Sequence, residues 1–269
     1  MEIQLSVIIV NYNGFVFLKD CLNSLQDKLQ SISYEIIILD NNSNDESCAY
    51  IKQNYPTITL IESKVNFGFG KGNNEAVKYA SGKHLLLFNN DTILLDDISL
   101  AIKTLDENKE IGVIGINMLT AQKKYIPAAG NFPNFKNMLR FVNLLDLGDE
   151  FKTGVFSKKY YEVDWLCGSF LLIPRDVYIK IRGFDEDYFM YVEDVDFCKK
   201  IADIGLKRVF IPSLSYKHFV GFNKKKNNLL VNGYRIYLKK HYKGFSFCYI
   251  SIILTLNSFV KKTKSFFLR

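Results

Sequence analysis

Short runs of β-branched and aliphatic residues alternate with longer mixed segments through the first 116 residues: LSVIIV, YEIIILD, TITLIES, KHLLLF and IGVIGI. Each run is apolar on both faces, as a strand must be when helices cover its sheet above and below. This predicts an α/β fold, with a Rossmann-like, mainly parallel sheet flanked by helices. After Ile116 the rhythm loosens through AQKKYIPAAGNFPNFKNMLRF; strand-like pieces return around YYEVDWLCGSFLLIPR, and a helix is expected to begin near Glu193. No linker separates the two parts. The expected organisation is one domain over residues 1–243, in halves 1–116 and 117–243, followed by an amphipathic helical extension over 244–269.

Polar residues fall where these runs stop. VIIV ends in Asn11, Tyr12 and Asn13; EIIIL ends in Asp40, Asn41 and Asn42; TLIE leads to Asn66, Phe67 and Gly68; LLLF ends in Asn89, Asn90 and Asp91. In a parallel sheet the carboxyl ends of the strands share one edge, and ligands bind in the crevice beyond it. Four polar strand ends therefore predict one binding crevice.

The chemistry of each cluster has a structural and a functional reading. Asp91 at the sheet mouth can hold a hard divalent cation whose shell substrate phosphates complete, or it can simply cap the next turn. The glycines of NFGFGKGNNEA permit close backbone approach to an anion at the start of a helix expected from about Lys71, or they make a tight turn. Neither a GxGxxG fingerprint after the first strand nor GxxxxGK[ST] is present. In FMYVEDVDFCKK, Glu193, Asp194 and Asp196 would occupy a first helical turn, where the helix dipole favours acids, and one of them can instead serve as a general base. His218 is one of three histidines. It is either structural or a partner of Asp91 in a metal site.

Composition narrows the class. With 48% hydrophobic and 23% charged residues the chain is globular rather than disordered, and a net charge of +7 suits an anionic partner. The basic residues form no stripe interleaved with stacking aromatics, so no nucleic-acid partner is expected; the KKK run at 224–226 reads as solvated surface. Five scattered cysteines without a CxxC pair indicate neither a disulfide framework nor a zinc site, which fits a reducing cytosol. The acidic start MEIQ and the short apolar run after it give no export signal. In the tail GFSFCYISIILTLNSFVKKTKSFFLR the apolar part runs about sixteen residues, short of the roughly 20 of a spanning helix. It reads either as a helix packed on the domain or as an interfacial anchor with lysines and aromatics at an anionic leaflet.

Taken in order, SVIIVNYNG, IILDNNSND, NFGFGKGNN, FNND, WLCGSFLLIPR and GFDEDYFMYVEDVDFCKK resemble the family 2 glycosyltransferases of the GT-A fold, and within them a rhamnosyltransferase-like branch. The resemblance runs from Ser6 to about His218. It implies an inverting enzyme that moves a sugar from a nucleotide diphosphate sugar, dTDP-rhamnose or a UDP-hexose, to a hydroxyl of a bacterial surface glycan or lipid-linked acceptor. The donor would be held by Asn11, Tyr12, Asn13, Asp40, Asn42, Asn66, Gly68, Lys71 and Asn90. Asp91, with His218, would bind a divalent metal, Mg or Mn. Asn89 stands where the usual DxD motif has its first Asp, which reduces the charge offered to that metal. Asp194 would be the base, and Glu193, Trp165, Gly168 and Ser169 would meet the acceptor. Lys199 and Lys200 stand where relatives carry an Arg, and Lys lacks its bidentate fork for a diphosphate.

The halves 1–116 and 117–243 would then be the nucleotide-binding and acceptor-binding parts. The enzyme would be cytoplasmic, peripheral at the inner face of the plasma membrane. Two rivals stay in view: a sugar nucleotidyltransferase, which would need a glycine- and arginine-rich loop where NYNGFVFLKD stands, and a noncatalytic nucleotide-sugar-binding relative.

Overall fold

A computed structural model of the chain describes residues 2–219 and 226–267; residues 224 and 225 of the basic run, and the side chains of the tail lysines, lie outside what it describes. The first half supplies β1 (Leu5–Asn11), α1 (Phe15–Lys28), β2 (Tyr34–Asp40), α2 (Ser47–Asn54), β3 (Thr59–Glu62), α3 (Phe69–Val77) and β4 (His84–Phe88). It continues with β5 (Thr92–Leu94), α4 (Ser99–Glu107) and β6 (Ile111–Leu119). The second half adds β7 (Tyr125–Ile126), β8 (Ala129–Gly130), α5 (Asp149–Thr153), β9 (Tyr161–Glu162), β10 (Trp165–Leu166), β11 (Phe170–Pro174), α6 (Arg175–Lys180), α7 (Glu193–Asp203) and β12 (Lys207–His218). A helical hairpin, α8 (Lys226–His241) and α9 (Gly244–Phe267), follows.

The main sheet has the order β3-β2-β1-β4-β11-β6-β12-β5. β3, β2, β1 and β4 are mutually parallel, as are β6 and β12. β11 inserts antiparallel between β4 and β6, so the two halves of the chain build one sheet. Successive residues of the first strands divide between its faces. Val7, Ile9, Ile36, Ile38 and Leu86 join one core cluster, while Ile8, Ile37, Leu39, Leu85 and Leu87 join the other. The two-residue period of an extended chain produces this split, and burial on both sides explains why the runs read as continuously apolar.

A third cluster fastens the tail. Ile250, Ile253 and Leu254 of α9 and Tyr237 and Leu238 of α8 pack with Tyr188 and Val192, which precede α7, and with Val195 in its first turn. One face of the tail is thus packed on the domain. Among the described residues no helix is long and apolar enough to cross a membrane.

Candidate active site

Parallel pairing in register sets Asn11 opposite Asp40 at the ends of β1 and β2. Asn11 donates from Nδ2 to Asp40 Oδ1 at 2.8 Å and to Ser43 Oγ at 3.2 Å, and its Oδ1 accepts from Asn90 Nδ2 at 2.7 Å. Asp40 also accepts from the Ser43 N–H at 2.8 Å and from its hydroxyl at 2.6 Å. Asp40, Asn11 and Asn90 therefore form a line across three strand ends. Asn11 and Asp40 are buried, and every polar atom satisfied in such a place adds rigidity. Gly14 leaves room for this line, because a Cβ there would lie 1.9 Å from Asn90 Nδ2 and push the amide aside. Tyr12 projects next to it, 50% exposed.

The flanking amides shape loops. Asn13 (φ 50°) and Asn42 (φ 65°) take left-handed conformations that Asn tolerates. Asn13 Oδ1 accepts from the Asn44 N–H and Asn66 Oδ1 from the Gly68 N–H. The residue that anchors the Asn-Phe-Gly loop is Asn41, which the strand-end reading placed at the rim without a role. Buried, it donates to the Gly68 carbonyl at 2.9 Å and accepts from the Phe67 N–H at 3.1 Å. Gly68 sits at φ 76°, and an added Cβ would meet the Phe189 carbonyl at 2.1 Å. This turn starts α3 at Phe69, two residues before the expected Lys71. Lys71 pairs with Glu186 at 2.9 Å, tying the loop to the segment that leads into α7.

Asp91 lies just before β5 and His218 ends β12, two strands that pair antiparallel. His218 Nε2 is 3.2 Å from Asp91 Oδ1, and its buried Nδ1 has no partner. No group of three or more His, Cys, Asp and Glu that could hold a metal occurs among the described residues. The pair nevertheless has the right donors for a cation that takes its remaining ligands from phosphate and water.

At the opposite lip, α7 begins after two consecutive non-glycine residues in left-handed conformation, Tyr191 (φ 71°) and Val192 (φ 76°). A β-branched residue there is strained, and such strain persists only where the surroundings impose it. α8 supplies the surroundings, since a Cβ on Gly233 would stand 2.3 Å from the Tyr191 carbonyl. His241, at the end of α8, holds Asp196 in α7 at 2.7 Å.

Asp194 follows the strained turn. It is half-buried, and its Oδ2 accepts from the Gly168 N–H at 3.0 Å. Burial pushes its carboxyl above the usual aspartate value. Glu193 is buried, its Oε2 has no partner, and burial followed by the charge of Asp194 raises its carboxyl well above the usual range. The Tyr216 phenol is raised chiefly by burial, with both Asp91 and Asp194 adding to it, so one ring stands within electrostatic reach of both carboxylates.

Ser169 hydrogen-bonds that phenol at 2.6 Å and is itself enclosed, so its hydroxyl supports the wall from behind. Trp165 Nε1 donates to the Asn131 carbonyl at 2.9 Å. Lys199 pairs with Asp203, and Lys200 donates to the Gly183 carbonyl at 2.5 Å.

A sheet of this order, a rim of amides and acids at its parallel strand ends, and a carboxylate-headed helix linked to that rim through Gly168 and Ser169 define a glycosyltransferase of the GT-A fold. Residues 6–181 match the family described as Glycosyl transferase family 2, and the chain belongs to that family. It is 26% identical over 249 residues to rhamnosyltransferase WbbL of Escherichia coli K12, covering 88% of this chain and 90% of that one. It is 24% identical over 235 residues to N-acetylglucosaminyl-diphospho-decaprenol L-rhamnosyltransferase of Mycobacterium tuberculosis, covering 80% and 75%.

Two solved structures share the fold. Mannosyltransferase PcManGT of Pyrobaculum calidifontis, in complex with GDP-Man and Mn2+, aligns with a TM-score of 0.62 at 17% identity, over 95% of this chain and 69% of that one. GalNAc-T7 with UDP, GalNAc and Mn2+ aligns with a TM-score of 0.67 at 17% identity, over 82% of this chain but only 44% of that longer one.

Proposed function

We propose that this glycosyltransferase moves one sugar from a nucleotide diphosphate sugar, dTDP-rhamnose or a UDP-hexose, to a hydroxyl of a bacterial surface glycan or lipid-linked acceptor, with inversion at the sugar carbon. The observation that carries the reading is the hydrogen-bonded line Asp40–Asn11–Asn90, followed in sequence by Asp91, with Asp194 tied to the same strand end through Gly168 and Ser169, whose carbonyl accepts from the Asn89 N–H at 3.2 Å. Asp40 and the amides orient the nucleoside. Tyr12 offers it an exposed ring. Asp194 takes the acceptor's proton as the hydroxyl oxygen bonds to the sugar carbon, and the bond from that carbon to the diphosphate breaks, releasing nucleoside diphosphate. Its hydrogen bond from Gly168 aims the carboxylate, and its raised pKa makes it a stronger base once ionised. Asp91 and His218 would hold a divalent cation, Mg or Mn, which would offset charge on the departing diphosphate. Holding both reactants in one crevice removes the entropy of their encounter from the barrier.

Rhamnose and the lipid acceptor are supported by the names of the two curated relatives, one of which specifies a diphospho-decaprenol compound. Such an acceptor would place the enzyme at the inner face of the plasma membrane. The test is a panel of nucleotide sugars screened by thermal shift with and without manganese, followed by turnover with a lipid-linked acceptor. A glycosylated product is expected. Formation of a nucleotide sugar from sugar phosphate and nucleoside triphosphate would replace this reading with a nucleotidyltransferase, and donor binding without any turnover, including donor hydrolysis, would replace it with a noncatalytic binder.

A further inference from the structure

α9 has a second face that the domain does not cover. Phe245, Tyr249, Ile252 and Leu256 are 85%, 43%, 59% and 60% exposed. Their spacing of four, three and four residues gathers them within about 60° of arc at roughly 100° per residue. Ile250, Ile253 and Leu254 meanwhile point into the third core cluster. The helix is thus apolar on two sides, and only one side is packed.

The charge distribution says what suits the other side. Of the chain's 35 Lys and Arg and 28 Asp and Glu, 14 basic residues and no acidic residue lie beyond Asp203. The last 66 residues therefore carry +14 while the first 203 carry −7, so the net +7 of the whole chain conceals a strongly polarised molecule. Around the hairpin, Arg235, Lys239 and Lys243 are exposed. An apolar stripe on a strongly basic segment matches an anionic lipid surface, with hydrocarbon below and phosphate around it. A second copy of the chain would bring the same +14 against itself.

We propose that α9 docks in the plane of an anionic lipid leaflet, with Phe245, Tyr249, Ile252 and Leu256 inserted and Arg235, Lys239 and Lys243 on lipid phosphates. The packed face of α9 and its apolar length both fit a helix lying on the membrane. The docked helix is one partner in a hairpin whose other helix braces the turn before Glu193 through Gly233, so the membrane and the acceptor lip share one rigid support. This inference deepens the lipid-linked acceptor reading by naming the surface used, and it is tested without donor or turnover.

The full chain is floated with vesicles of phosphatidylcholine alone or mixed with phosphatidylglycerol. Binding is expected to the mixed vesicles, weaker to the neutral ones, and reduced by high salt. Ile252→Asp with Leu256→Asp is expected to weaken binding by about tenfold or more, whereas Ser246→Asp, off the stripe, should cost far less. Phe245→Ser with Tyr249→Ser repeats the test at the other end of the stripe; circular dichroism confirms folding of each variant. Equal binding to both vesicle types, no binding to either, or unchanged binding of both stripe variants would overturn the proposal. So would light scattering that shows a dimer dissolved by the same substitutions. Loss of transferase activity with vesicle binding intact would count against the functional reading alone.

Discussion

Asn90 donates a 2.7 Å hydrogen bond to the side-chain oxygen of Asn11, a residue 79 positions earlier in the chain. Because Asn11 simultaneously donates to Asp40, its amide is the middle link of the rim. Asn11→Ala should take one of three hydrogen bonds from the buried Asp40 carboxylate and leave the Asn90 amide without its acceptor. A stability loss of about 1–3 kcal/mol is expected by thermal denaturation, with weaker nucleotide binding in titration. Unchanged nucleotide affinity would remove the line from the donor site.

Asp194→Asn keeps the size of the side chain but removes the base, and leaves one oxygen to accept where the carboxylate takes the Gly168 and Val195 N–H groups on two. Nucleotide binding should persist while turnover falls by about 10²–10⁴-fold. Because burial raises the Asp194 pKa above 3.8, wild-type activity should climb with pH on its acid side, along a limb displaced upward from that value. A pH–rate profile flat across that range would exclude Asp194 as the base.

Glu193 tests the electrostatics of the same helix end. A carboxyl whose folded pKa lies above its ordinary 4.5 makes a contribution to stability that is fully present below that value and lost as pH rises through the raised one. Glu193→Gln removes the titration. The variant should therefore gain stability relative to wild type as pH increases toward 8, and the gain should vanish below about 4.5 in denaturant unfolding. A difference independent of pH would mean that Glu193 is not perturbed by the fold.

Asp91→Ala and His218→Ala should each weaken nucleotide binding measured with manganese and have little effect on binding measured in chelator. Wild-type turnover that survives chelator would argue that the pair at 3.2 Å is an ordinary ion pair.

Gly233→Ala puts a Cβ 2.3 Å from the Tyr191 carbonyl, within the turn that aims Glu193 and Asp194. Overpacking of this kind costs about 1–3 kcal/mol. The expected signature is a fall in kcat larger than any change in donor affinity, because the turn leads into Asp194, the proposed base. A loss of donor affinity alone would show that the hairpin does not brace the base.

The sequence reading succeeded where one signal repeats locally. Strands β1, β2 and β4 are legible because each is apolar on both faces, and α7 because three acids sit in its first turn. It missed Tyr191 and Val192, whose residue types give no sign of a left-handed backbone. It also missed Asn41, which resembles its neighbours in composition and differs in what it touches. Of the two readings of the tail, packing on the domain describes one face of α9, while the anchor reading is the proposal made for the face left uncovered.

The order of polar letters after apolar runs determined that this chain makes an α/β sheet with its amides and acids at strand ends, since strand period and burial are properties of short segments. The tertiary structure alone decided which ends meet. Strand order brings Asn90 beside Asn11, and β12 returns His218 to Asp91. A glycine in α8 holds the turn before Asp194. Hydrogen bonds and close contacts act over a few ångströms, and only the folded chain fixes which residues, far apart in sequence, come within that distance.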